Sequence, residues 1–467
     1  YFMSISCFLK RKILKSLFFP SHSRGEALPK EIQNLLEESP GLWDLPDLPE
    51  IGTTLTQKGL VSDAQRYFSN KLNVKNCWFG VNGATSLIQA SILTMAKSGE
   101  YILVPRNVHN CVIKICTLVN VIPIFFDIPF DLKTGHFQPI TKVHLKKILN
   151  QRLLKDKKIA GAILVNPYYQ GYAIDLDSLI EIFHNENIPV LVDEAHGSYF
   201  QFCDDMGLPK SALKSKADLV VHSLHKSLNG LTQTAILWQI GNKPERNELE
   251  NNLNLLQTSS QSSLLLASCE ESIRDWLNKD SLNKFKKRIL EAQNIFKQLI
   301  KKGIPLVETQ DPLKIILNTG KFGIDGFTAD RFFSKNGLIA ELPEVMTLTF
   351  CLGFANQSDF INIFLKLWNE LLLKKSNEIS TKKLRPPFKL VQIPEIAPSE
   401  AYRMDYFKVP LKESIGKISA EMICPYPPGI PLIVPGERID AERINWLLEQ
   451  SLYNSDLVNS YINVLKD

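Results

Sequence analysis

Lys226 stands where a lysine can do chemistry. The apolar run Leu219-Val220-Val221 reads as a buried strand that delivers Ser223, His225 and Lys226 into a polar turn, and a second apolar run starts at Ala235. Desolvation between two buried strands lowers a lysine's pKa and frees the amine to form a Schiff base. The plain alternative is a solvated lysine at a strand end. Upstream, Pro189-Val-Leu-Val is a short apolar strand ending in Asp193, followed by Glu194, Ala195, His196 and Gly197. A carboxylate at the carboxyl end of a parallel strand occupies the place where open α/β sheets bind ligands. Helix capping is the bland use of an aspartate there.

A third element joins the two. Trp78-Phe-Gly-Val runs through Asn82-Gly83 into a helical pattern whose first residues are Ala84, Thr85 and Ser86. Free N–H groups, hydroxyls and the positive dipole end suit a phosphate, although a Ser/Thr cluster there also serves plain capping. Lysine, aspartate and anion site together match the needs of pyridoxal 5'-phosphate. The lysine holds the aldehyde, and the aspartate keeps the pyridine nitrogen protonated so that the ring accepts electrons.

The elements that must position these groups alternate from about residue 78 to 240. Strands are predicted at Tyr101–Val104, Val121–Phe126, Ala160–Val165, Pro189–Val192, Leu219–Val221 and Thr234–Trp238. Helical patterns lie between them at Thr85–Ala96, His109–Leu118, Thr141–Leu154 and Leu176–Asn185. Continuous apolar strands separated by helices indicate an α/β domain with a mostly parallel sheet covered on both faces. Residues 270–302 read as one long amphipathic helix, residues 314–372 as a smaller α+β unit, and the Lys- and Pro-rich stretch 374–387 as a linker.

The blocks Pro20-Ser-His-Ser-Arg-Gly25, Val81-Asn-Gly-Ala-Thr-Ser86, Val104-Pro-Arg-Asn-Val-His109 and Val165-Asn-Pro-Tyr-Tyr-Gln-Gly171 continue in order. They lead into Val192-Asp-Glu-Ala-His-Gly197, Ser223-Leu-His-Lys226, Leu264-Leu-Leu-Ala-Ser268 and Pro425-Tyr-Pro-Pro-Gly-Ile-Pro-Leu-Ile-Val-Pro-Gly-Glu437. With these blocks, the chain resembles the ornithine/lysine/arginine decarboxylases, in their short bacterial form. The resemblance implies the aspartate-aminotransferase-type fold (fold type I), with a seven-stranded-type sheet and smaller C-terminal α+β domains. The expected division is an N-terminal segment 1–55, a cofactor-binding domain 56–302, a small domain 303–375 and a C-terminal decarboxylase domain 376–467.

The same resemblance implies that His109 stacks on the cofactor ring and that Ser262 reaches the neighbouring subunit's phosphate site in a homodimer. His225 and Ser223 are expected at the phosphate or the substrate carboxylate, Ala195 beside the ring, and His196 orienting Asp193; each also has an ordinary capping role. A basic substrate needs a carboxylate for its far cation. Glu437 is the first candidate, its plain alternative being a helix-capping surface glutamate, and Asp44 is the second. Four departures stand out: Ser21 for glycine, Ala84 for a hydroxyl residue, Gln261 for threonine, and Gly52-Thr-Thr-Leu55 for an acidic stretch at the mouth of the site.

Decarboxylation of arginine, lysine or ornithine is the implied reaction. An aminotransferase or another lyase would use the same constellation. A catalytically silent homologue that regulates an active decarboxylase is the non-enzyme alternative. A net charge of +5 on 467 residues gives no case for nucleic acid. Eight scattered cysteines without a Cys-x-x-Cys pair suggest reduced thiols in the cytoplasm, and no metal site is expected. The first 19 residues are basic and apolar, and are expected to form an arm on a partner subunit rather than a targeting peptide. No run is long enough to span a bilayer.

Overall fold

The computed structural model describes residues 15–38, 41–373, 384–425, 429–454 and 459–466. Most of the basic N-terminal arm and the greater part of the 374–387 linker lie outside the described residues.

The large sheet is assembled from β1 (Asn76–Gly80), α1 (Gly83–Met95), β2 (Tyr101–Pro105), α2 (Cys111–Val119), β3 (Ile122–Phe126) and α3 (Lys142–Leu149). The run continues through β4 (Ile159–Val165), α4 (Leu176–Asn185), β5 (Val190–Asp193), β6 (Leu219–Ser223) and β7 (Ala235–Gln239). Then come α5 (Ser263–Leu277), α6 (Lys279–Lys301), β8 (Leu306–Val307), β9 (Lys314–Leu317), β10 (Leu342–Pro343), β11 (Leu348–Cys351) and β12 (Val391–Gln392).

In space the order is β12-β3-β2-β4-β5-β6-β7-β1. Strands β3, β2, β4, β5 and β6 pair in parallel, while β7 runs antiparallel to both β6 and β1. The seven-stranded sheet is therefore present, and the C-terminal segment adds β12 as an eighth, antiparallel edge.

The strands are apolar on both faces, and their residues alternate between two cores. Leu103, Ile124, Leu164, Val192, Val220 and Ile236 face one core, and Ile102, Phe125, Ile163, Leu191, Val221 and Leu237 face the other. A period of two with no polar face is what a sheet buried on both sides demands. A second, four-stranded antiparallel sheet, ordered β8-β9-β11-β10, follows in sequence.

The single long helix expected over 270–302 is two helices. Asn278 is extended, and its side-chain carbonyl accepts from the N–H groups of Asp280 and Ser281 at 2.9 and 3.2 Å. An asparagine that caps a new helix competes with continuation of the old one. The apolar spacing nevertheless runs across the break, because Trp276 and Phe285 stack with centroids 4.4 Å apart. That shared core contact explains why the pattern reads as unbroken.

Candidate active site

Strand β5 ends at Asp193, which pairs with Val165 on one side and Val221 on the other. Strand β6 ends at Ser223, and a single helical turn, Leu224–Ser227, then carries His225 and Lys226. Parallel pairing brings both chain exits to the same sheet edge, so residues far apart in sequence face one hollow. Lys226 Nζ lies 3.0 Å from His196 Nε2. Asp193 is buried and accepts from the N–H of Ala195 at 3.1 Å.

Burial sets the charges here. It pushes the Lys226 amine below its ordinary range, with the Asp193 charge opposing and the Lys314 charge assisting. Burial likewise raises the Asp193 carboxyl, against the pull of Lys226. His109 and His225 are both driven down to about 4, first by burial and then by Lys226. His196 is held well below its ordinary value for the same reasons. Three imidazoles around Lys226 are thus neutral at physiological pH and can accept as well as donate.

Several buried polar atoms here have no partner among the described residues. They include Ser223 Oγ, Ser227 Oγ and His196 Nδ1. Unsatisfied buried polar atoms are costly, and a cluster of them beside a lysine and an aspartate fits a ligand with its own hydrogen-bonding groups. The residues therefore fit pyridoxal phosphate. At the expected phosphate end, α1 opens at Gly83, whose φ of +73° favours glycine. Asn82 does not cap this helix; its side-chain carbonyl accepts from Thr258 N at 3.1 Å. Ala84 is buried, Thr85 is exposed at the first turn, and Ser86 donates back to the Gly83 carbonyl at 3.2 Å.

Comparison with known proteins decides the family. The profile described as "Orn/Lys/Arg decarboxylase, major domain" matches residues 12–315, and "Orn/Lys/Arg decarboxylase, C-terminal domain" matches 377–454. The chain belongs to the Orn/Lys/Arg decarboxylase family. It is 27% identical over 445 residues to the arginine decarboxylase of Bacillus subtilis strain 168, covering 92% of this chain and 89% of that one. Among solved structures, the Francisella novicida lysine decarboxylase superposes with a TM-score of 0.77 at 20% identity, over 90% of this chain and 74% of the other. A serine palmitoyltransferase from S. paucimobilis with bound PLP–myriocin aldimine superposes at 0.54 and 14% identity, over 76% and 86%. These likenesses establish a family of amino-acid decarboxylases and its fold.

Within this decarboxylase fold, Glu437 is not where a substrate could meet it. It is fully buried, with its carboxylate 2.5 Å from Arg106 Nη2 and 2.8 Å from Arg443 Nη1. Arg106 is itself sandwiched by Phe125 and Phe388, at 4.0 and 4.8 Å. Two guanidiniums already neutralise the carboxylate, so the expectation of a substrate contact is corrected to a structural one. Asp44 lies on an exposed turn beside Ser263, which donates to the Trp43 carbonyl.

Three of the four departures, at Ser21, Thr54 and Gln261, make hydrogen bonds, whereas the Ala84 methyl makes none. Ser21 is buried; its hydroxyl donates to Asn229 Oδ1 at 3.0 Å and accepts from Asn229 N at 3.1 Å. The departures at 52–55 and 261 meet at Thr54. Gln261 donates to Thr54 Oγ1 at 3.0 Å and accepts from Thr54 N at 3.1 Å, while Gln257 adds a bond to the same hydroxyl at 3.2 Å. Ser262 caps α5, accepting from Leu265 N at 3.4 Å.

Sequence reasoning missed the far wall of the hollow. Phe19, Tyr199, Lys314 and Cys351 line one cavity with Lys226 and His196. The Tyr169 ring packs 4.6 Å from that of His196, and its hydroxyl donates to Glu341. A signal existed for Lys314: it interrupts the apolar run Leu313–Leu317, where a charge has no reason to be buried without a task.

Proposed function

We propose that this chain decarboxylates a basic amino acid with pyridoxal phosphate held on Lys226, yielding the amine and carbon dioxide. The observation that carries the reading is the convergence of Lys226, Asp193 and the unpartnered Ser223, Ser227 and His196 atoms on two adjacent strand ends. Bound there, the cofactor supplies an electron sink for the pair left on the α-carbon as carbon dioxide departs. Lys226 provides the anchoring amine, and burial beside neutral His196 keeps that amine available for bond formation. Asp193 would hold a proton on the pyridine nitrogen, and His109 would stack against the ring.

Thr85, Ser86, Ser223 and His225 hold the phosphate, with the α1 N-terminus contributing its dipole. Ala195 places its small side chain beside the ring, and its N–H fixes the Asp193 carboxylate. Ser262 completes the partner's phosphate site in a homodimer. Arginine is the first substrate to test, because the relative spanning nine tenths of this chain is named for it. The Gly52–Leu55 stretch, which lacks the acids that the resemblance implies there, makes lysine and ornithine necessary members of the panel.

The deciding experiment incubates the cofactor-loaded protein with arginine, lysine and ornithine and follows labelled carbon dioxide and the amine. Release of both in equal amounts supports the reading. A keto acid without carbon dioxide would make it an aminotransferase, and no turnover of any of the three would favour the silent homologue.

A further inference from the structure

Lys314 begins β9 and is buried, with 4% of its surface exposed. Its ammonium has three N–H donors, yet among the described residues its hydrogen-bond partner is the sulfur of Cys351, at 3.1 Å. The Phe19 and Tyr169 rings flank it at 4.4 and 5.6 Å. No carboxylate of the described residues lies within ion-pair distance. The nearby acids are engaged elsewhere: Asp311 accepts from Tyr199 at 2.6 Å and from Leu313 N at 3.0 Å, and Glu341 from Phe19 N at 2.9 Å and from Tyr169.

Burial opposes the Lys314 charge, but Cys351, Asp311 and Glu341 outweigh it and hold the amine above its ordinary value. The site therefore contains a charged, buried ammonium with N–H donors to spare, disposed to receive an anion. It lines the same cavity as Lys226, and Lys226 feels its field. Any amino acid whose α-amine reaches Lys226 brings a carboxylate attached to the adjacent carbon. We propose that Lys314 receives the α-carboxylate of the substrate. This rests on the proposed reading of Lys226 and adds a recognition site to it.

The energetic consequence is specific. The carboxylate loses its charge as carbon dioxide forms, so its attraction to Lys314 is no stronger in the transition state than before it. Such an interaction improves binding without raising kcat. Lys314 is thus a substrate-binding residue that selects amino acids over the corresponding amines.

Lys314→Met nearly keeps the length of the side chain and replaces its ammonium with an apolar thioether. In cofactor-loaded protein, KM for the preferred amino acid should rise about tenfold or more while kcat holds or increases, and inhibition by the product amine should change less than about twofold. Lys314→Arg, which retains the charge, should keep the discrimination between acid and amine. The wild-type protein supplies an arm that needs no variant, since the carboxamide of the preferred amino acid should bind about tenfold more weakly than the acid.

Equal binding of acid and carboxamide, or a Lys314→Met variant whose affinities for acid and amine move together, would overturn the assignment. A protein that releases carbon dioxide from a basic amino acid yet behaves in this way rejects the Lys314 role alone. One that turns over no basic amino acid rejects the reading on which it rests.

Discussion

Asp193 and Glu437 are both buried carboxylates, and their surroundings differ. Asp193 accepts one backbone N–H and faces the Lys226 hollow, whereas Glu437 is clasped by Arg106 and Arg443. Asp193→Asn preserves size and removes the charge that would keep a pyridinium protonated. Decarboxylation should fall by orders of magnitude; retention of more than about a tenth, a loss of only ~1.4 kcal/mol in the transition state, would reject the role. Glu437→Gln leaves the buried Arg106 guanidinium without its ion-pair partner, while Arg443 keeps Asp440 at 2.7 Å. It should destabilise the protein by about 3–5 kcal/mol in denaturant titrations, with KM for basic substrates unchanged in the folded fraction. A large KM effect without loss of stability would restore Glu437 as a substrate contact.

Elements bring these side chains together, and short connections hold the arrangement. The two loops at 52–55 and 257–263 are joined by Thr54, whose backbone and hydroxyl exchange bonds with Gln257 and Gln261. Thr54 is buried, so these bonds should act as one unit. A double-mutant cycle on Thr54→Val and Gln261→Ala should show a coupling of about 0.5–1.5 kcal/mol in stability. Strict additivity would mean that the two departures from the family pattern are independent. The Asn278 break teaches a related lesson. Its capping bonds are local, and the Asn-Lys-Asp-Ser order that makes them was visible, but amphipathic spacing continued past it because α5 and α6 bury aromatic residues in one core.

At the scale of the molecule, the loop ending at Ser262 is fastened to its own chain at Thr258 and Gln261 and caps α5. The proposed homodimer uses this loop to complete a partner's phosphate site. Chains carrying Lys226→Ala should be inactive and should lose the visible absorbance of the attached cofactor while staying folded. Mixed with chains inactivated by replacement of residues 260–262, they should regain measurable activity, because one of the two composite sites then has both intact parts. Full activity of monomers at high dilution would reject a shared site. Among the described residues, no helix is long and apolar enough to cross a membrane.

The parallel sheet was legible because a strand buried on both faces must be apolar, and β2 to β6 are, apart from Asp193, His222 and Ser223 at their carboxyl ends. Lys226 and Asp193 were legible because a polar residue that ends such a strand lies at the sheet edge whatever the details of packing. The surroundings of Lys314 and Glu437 were not legible, for a different reason. A charge in a sequence does not say whether its counter-charge is present, since that partner comes from a distant segment. Arg106, 331 residues from Glu437, already supplies one. The nearest acids to Lys314 are turned toward Tyr199, Tyr169 and backbone N–H groups. Pairing of buried charges is a property of the closed core, and only the tertiary structure decides which charge is spent on the fold and which is left to meet a ligand.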